Sequence, residues 1–224
     1  SQELGSLDEG RRARALASAS EHVQFAKAAR CRTLVIDGGA VEGAAVDERV
    51  RRLEGQVDRG DSPGELLEEV RLLAAPLRER HLERLCRSIH ELVRKHEDLR
   101  FALLPASAPH GILDARGLAE AFADVKAMNL FAWHDVGAAR AGERLGCEPA
   151  VRLLDATASR LAGLDLHDAR GLRQHLAPGE GEVDWRAVAE HAPSGAIRVL
   201  DLESGDSAAA VAAAQRVLLS LGLS

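Results

Sequence analysis

The chain is poor in cysteine, has no long apolar run and carries no excess of one charge sign, and each shortage removes a class of protein. Cys31, Cys86 and Cys147 are its three cysteines. They are odd in number and far apart, which suits neither a disulfide framework nor the close pairs of a zinc site, and they are read as free thiols of a reducing compartment. No apolar stretch approaches the ~20 residues of a membrane helix, and charge begins within the first dozen residues, which argues against a signal peptide or anchor. The 29 Lys and Arg are interspersed with 35 Asp and Glu for a net charge of -6. No basic stripe results, so nucleic acid is disfavoured as a partner. Gly38-Gly39-Ala40 has neither the lysine of a phosphate loop nor dinucleotide spacing, and is better read as a turn. What these exclusions leave is an expected cytoplasmic protein with no membrane partner.

What is present is apolar patterning. With 224 residues and 46% hydrophobic composition the chain can bury a full core, and one domain over 1–224 is the simpler expectation. After a short polar lead, Ser1 to Ser6, apolar residues at helical spacing predict a helix from Leu7 to about Arg30, with Asp8 as its N-cap. Thr33-Leu34-Val35-Ile36-Asp37-Gly38-Gly39 reads as a buried strand closing on an acid and two glycines. A helical region from about Asp47 to Asp98 follows, broken at Gly60-Asp61-Ser62-Pro63-Gly64, where Ser62 or Asp61 can cap the second part.

Four strand and helix pairs come next. Arg100 to Pro105 precedes a helix at Asp114 to Ala127; Leu130 to Gly137 precedes one at Glu148 to Leu161. Gly163 to Asp168 precedes one at Asp184 to His191; Ile197 to Glu203 precedes one at Ser207 to Leu221. Alternating strands and helices, with strands apolar throughout, predict a parallel sheet. Every strand but the second ends in acid or imidazole: Asp37; His134 and Asp135; Asp165, His167 and Asp168; Asp201 and Glu203. Parallel strands put their carboxyl ends on one face, so these groups are expected to converge. The alternative is that they cap helices and satisfy loop backbone.

The segments SLDEGRRARALASASEHVQFAKAARCRTLVIDGG, LDLHDARGLRQHLAPGEGEVDW and IRVLDLES, in this order, resemble the xylose-isomerase-like (β/α)8 TIM barrel superfamily, which includes sugar-phosphate isomerases and epimerases and a class of apurinic endonucleases. The most specific piece is His167-Asp168 followed by Pro178-Gly179-Glu180-Gly181 and Asp184-Trp185. The resemblance implies that the five strands are the fourth to eighth of a barrel and that the first three are absent. Five strands leave two open edges, and a closed barrel of about 250 residues needs eight. The expectation is therefore roughly 60–70 further residues upstream, with strands lent by a partner subunit in a homo-oligomer, or a doubly wound open sheet, as alternatives.

The resemblance also implies a site. The family holds one divalent cation with a Glu, an Asp, a His and a Glu on successive strand ends, the two Glu acting as acid and base. Leu104 falls at the first Glu and Asp135 at the Asp, while Ala138 replaces a His that usually follows. Asp165 falls at the His, with His167 and Asp168 matching beyond it. Arg173-Gln174-His175 stands for an Asp-x-His, and Asp201 for the last Glu. This implies metal ligands Asp135, Asp165 and Asp201, Asp201 as an acid-base group, and substrate contacts His167, Asp168, Arg173 and His175; His134, read from the residues and not from the family, is the first candidate for a base in place of the one lost at Leu104. Oxygen donors suit magnesium or manganese better than zinc, and a chain that binds no metal is the alternative. The expected activity is isomerisation or epimerisation of a sugar-like hydroxy-carbonyl compound at a degenerate site. A non-catalytic ligand-binding or assembly module and an endonuclease-like protein are the other readings.

Overall fold

The computed structural model describes residues 3–203 and 207–223; Ser1, Gln2 and Ser204, which the expected polar lead and the last motif include, lie outside them. In chain order the elements are α1 (Glu9–Ala28), β1 (Thr33–Asp37), α2 (Ala44–Asp58), α3 (Gly64–Lys95), β2 (Arg100–Leu104), α4 (Ala115–Val125), β3 (Leu130–Asp135), α5 (Val136–Arg144), α6 (Ala150–Thr157), β4 (Leu161–Leu166), β5 (Asp168–Arg170), β6 (Arg173–Leu176), α7 (Trp185–His191), β7 (Ile197–Leu200) and α8 (Ala208–Ser220). Five strands pair in parallel in the order β1-β2-β3-β4-β7, and β5 and β6 form a separate antiparallel hairpin.

The pleat decides what each strand side chain meets. Leu34, Ile36, Phe101, Leu103 and Leu130 pack with Leu85, Ile89 and Leu92 of α3 and Leu118 and Ala121 of α4. Ala132, Leu164 and Leu166 pack with Val136, Leu154, Trp185, Val188 and Leu218 from α5, α6, α7 and α8. The alternate residues Ala102, Leu104, Phe131, Trp133 and Ala162 form a cluster drawn from strands alone. Helices thus cover one face only, which makes the sheet a half-barrel and excludes the doubly wound alternative. On the concave face Val35 at the β1 edge is 39% exposed, and Ile197 and Val199 at the β7 edge are 44% and 40% exposed.

Helix starts follow local chemistry. Asp8, Asp114, Asp184 and Ser207 each accept from a backbone N–H three residues on, which satisfies one of the donors a helix leaves open. Several expectations are corrected. Neither Ser62 nor Asp61 caps α3: Pro63 occupies the cap, and the Gln56 amide donates to the Ser62 and Pro63 carbonyls instead. A helix begins directly at Val136, because Asp135 accepts from Ala138 N; Gly146 at φ +82° and Pro149 then separate it from α6. The hairpin β5-β6, turning at Gly171 (φ +60°), was expected as loop. β7 ends at Leu200, three residues before its expected end. Leu4, expected in the polar lead, is 1% exposed, and its carbonyl accepts from Ser88 Oγ at 2.8 Å.

Candidate functional site

Strand register brings the candidate acids to one rim. Asp37 pairs with Leu104 and Asp135 with Asp165, Asp165 pairs with Val199, and Asp201 extends the ladder by donating its N–H to the Leu166 carbonyl at 3.3 Å. By alternation from Trp133 and Leu104, these residues face the concave side at the carboxyl end of the sheet.

His134 is not among them. It pairs with Leu164 and so faces the helices; it is 1% exposed, and among the described residues neither ring nitrogen has a hydrogen-bond partner. Burial pushes its pKa down to about 4, so it stays neutral across the physiological range. Alternation alone requires that His134 and Asp135 point to opposite faces; which of them meets the rim is set by the strand register.

The rim is organised by a chain of contacts. His167 is fully buried, its Nε2 lies 2.8 Å from Asp135 Oδ1, and its Nδ1 accepts from the His175 backbone N–H at 2.9 Å. Burial opposes a charge on His167, yet Asp135 outweighs it and raises the pKa; burial likewise opposes a charge on Asp135, and the His167 and Ala138 contacts hold its pKa low. The His175 N–H fixes the neutral tautomer with Nε2 protonated. The two imidazoles stack at 4.3 Å between centroids, and His175 Nδ1 lies 3.3 Å from Asp201 Oδ2. His175 holds φ at +58°, a left-handed geometry uncommon outside glycine. Arg173, on the same face of β6, is 68% exposed at its side chain and lies 3.6 Å from Glu203.

Asp165 differs from its neighbours. Its Oδ2 accepts from Trp133 Nε1 at 2.9 Å, but burial first, and then the Asp135 and Asp201 carboxylates, raise its pKa to about 6. A carboxyl that titrates near neutrality can both take and return a proton.

Asp168 has a different task. It is 1% exposed and accepts from Ala169 N, Val183 N and Gly179 N at 2.9 Å each and from Trp185 Nε1 at 3.0 Å. Those bonds overcome the cost of burial and hold its pKa low. A Cβ on Gly181 would fall 2.2 Å from Asp168 Oδ1, so glycine is required there. The Pro-Gly-x-Gly-x-x-Asp-Trp pattern is thus the wrapping of one buried carboxylate.

The three expected carboxylate ligands share the rim, but Asp135, Asp165 and Asp201 do not bring one oxygen each within 4.8 Å of one another. Asp135 Oδ2, Asp165 Oδ1 and Asp201 Oδ1 have no hydrogen bond among the described residues, and their mutual repulsion at Asp165 is what a cation would relieve. Among the described residues the one group that brings a ligand atom from each of three residues within 4.8 Å is His167, His175 and Asp201; His167 Nδ1 accepts from the His175 N–H, while Nε2 lies 2.8 Å from Asp135 without hydrogen-bond alignment. Leu104 adds no donor. The His175–Asp201 pair and the Trp133 bond to Asp165 are what sequence reasoning missed; no spacing announces a hairpin that folds back over its own strand.

No protein-family model and no curated protein matches the sequence. Solved structures do. A D-tagatose 3-epimerase-like protein is similar at TM-score 0.68 and 15% identity, over 97% of this chain and 72% of that one. D-psicose 3-epimerase with D-tagatose, from Clostridium cellulolyticum H10, is similar at TM-score 0.62 and 13% identity, over 99% and 73%. A xylose isomerase domain protein from Planctomyces limnophilus is similar at TM-score 0.55 and 18% identity, over 97% and 67%. The shared property is the xylose-isomerase-like barrel fold. Among the described residues no helix is long and apolar enough to cross a membrane.

Proposed function

We propose that this chain acts on a sugar-like hydroxy-carbonyl compound as an isomerase or epimerase, moving a proton at the concave rim. The observation that carries the reading is the placement of Asp165: its carboxyl, held by Trp133 Nε1 at 2.9 Å, stands on the concave rim between the ends of β3 and β7, on the side where a ligand would enter. As a carboxylate, Asp165 takes the proton from the carbon beside the carbonyl, and Trp133 Nε1 orients it while it does so. His175, backed by Asp201 at 3.3 Å, is the second proton-transfer group, with Arg173 at the rim for a substrate hydroxyl. Each such group typically contributes about 100-fold or more. Asp135, Asp165 and Asp201, on neighbouring strand ends, would have to close up to hold a magnesium or manganese ion, which when bound would stabilise negative charge on the substrate oxygens. The fold shared with sugar epimerases supports the substrate class.

The test is solvent exchange. Purified protein incubated with D-tagatose, D-psicose or D-fructose in deuterium oxide with manganese should incorporate deuterium beside the carbonyl, seen by NMR, and Asp165→Asn should abolish it. Leu104, apolar at the end of β2, supports a second reading as a ligand-binding module without turnover. Sugar binding with no exchange in any of the three ketoses would favour that module.

A further inference from the structure

A second concave surface lies on the opposite side of the β5-β6 hairpin from His175. It has a volume of about 460 Å³ and is bordered by α2, the loop after β2, α5 and the hairpin, a size that suits a small ligand of one or two rings. Strand alternation places Gln174 away from the His175 and Arg173 side of β6, and it lines this cavity together with Ser107, Arg51, Glu54 and Asp58.

Those five side chains are barely engaged with the protein. Arg51 pairs with Glu48 at 3.0 Å. Among the described residues Ser107 Oγ, the Gln174 amide and the Glu54 and Asp58 carboxylates make no hydrogen bond or ion pair. Ser107, Gln174 and Glu54 are nonetheless half-buried, so they lose part of their hydration without a protein partner in return. Leu145 and Leu172 add an apolar floor.

Gly55 points the same way. It lies on the α2 stripe with Arg51, Glu54 and Asp58, and glycine inside a helix costs about 1 kcal/mol against alanine. Its φ is not positive, and a Cβ there would meet only Arg59 Nη1, at an ordinary 3.6 Å. Neither backbone nor packing demands glycine, and Gly55 lines the cavity, so a long side chain at this position would enter it.

We infer that this cavity is a binding site for a neutral polyhydroxylated ligand, a mono- or disaccharide unit, separate from the Asp165 rim. The chemistry selects the class. One arginine against two carboxylates disfavours phosphates and other anions, while acceptors, amide donors and a hydroxyl match groups that both donate and accept, and the leucines face the C–H surface of a sugar ring. The inference does not rest on the proposed reaction and stands if that fails.

The experiment is saturation-transfer NMR and titration calorimetry on the full chain with D-glucose, D-mannose, maltose and cellobiose. Binding of at least one is expected. It should weaken roughly three- to tenfold in Gln174→Leu and in Ser107→Ala, as for loss of a neutral hydrogen bond. In Gly55→Leu, which fills the cavity and improves helix propensity, it should be lost, and in Asp165→Asn it should persist. Circular dichroism confirms that each variant is folded. No binding of any of the four sugars overturns the inference, as does binding that Asp165→Asn removes and Gly55→Leu leaves intact.

Discussion

His167 stands between Asp135 and the backbone of His175, 2.8 Å from the first and accepting from the second at 2.9 Å. One buried ring therefore fixes a carboxylate at the end of β3 and a hairpin that arrives forty residues later. Gly137, in the first turn of α5, makes room for it: a Cβ there would lie 2.1 Å from His167 Nδ1. The rim's geometry thus depends on a residue with no lone pair left for substrate.

Removing that ring should be costly. His167→Ala leaves a largely desolvated Asp135 without its partner and the His175 N–H without an acceptor, and breaking a buried pair from one side costs about 3–5 kcal/mol. Gly137→Ala should cost about 1–3 kcal/mol by overpacking against the same ring. Urea unfolding measures both; a loss below about 1 kcal/mol for His167→Ala would show that Asp135 is solvated there.

Asp165 should make the protein less stable as pH rises. Its folded pKa of about 6 lies above the unfolded value near 3.9, so the folded state binds the extra proton. Stability from this group is full below about pH 4 and declines as pH rises through 6. Asp165→Asn removes the decline and should stabilise the protein at pH 7.5 by about 1–2 kcal/mol after solvent screening, with no effect near pH 4. Equal effects at the two pH values would rule out the shift.

Manganese should bind at the rim and depend on its carboxylates. Asp165→Asn and Asp201→Asn should each weaken it by tenfold or more, a typical loss for a ligand or its support. Leu104→Glu restores an oxygen at the end of β2 and should tighten it. Electron paramagnetic resonance of free manganese reads these changes, and affinity unaltered in all three variants would move the cation elsewhere.

The alternation of strand and helix was legible because a parallel sheet covered by helices needs apolar strands, and Leu34, Phe101, Ala132 and Leu164 lie where that pattern put them. The cap position was legible at Asp8, where a short side chain and a backbone N–H three residues on are all that is required. The convergence of Asp135, Asp165 and Asp201 followed from strand direction. Three things were not legible. Which of His134 and Asp135 faces the rim depends on register; the β5-β6 hairpin depends on His175 accepting a left-handed backbone; and the role of Asp168 depends on donors that arrive from residues 179, 183 and 185.

Asp168 allows the last test, with the opposite sign to Asp165. Three of its four N–H donors come from the loop at 178–185, which is also tied by Glu182 to Ala169, Arg140 and Arg144, and the bonds keep its folded pKa below the ordinary carboxylate value. Its stabilisation is therefore present above the unfolded pKa near 4 and is lost as pH falls through the lower folded value. Asp168→Ala leaves four donors without an acceptor, two of them, Ala169 N and Trp185 Nε1, in buried residues, and should cost about 3 kcal/mol or more. Asp168→Asn keeps two acceptor directions but turns an N–H₂ group toward other donors, so it should lie close to alanine in cost. In both variants the loop at 178–185 should open, seen as faster hydrogen exchange at Gly179 and Val183, while β1 and β2 exchange as before. Unchanged protection at Val183 in Asp168→Ala would mean that the loop is held by Trp185 packing and the Glu182 contacts without the carboxylate.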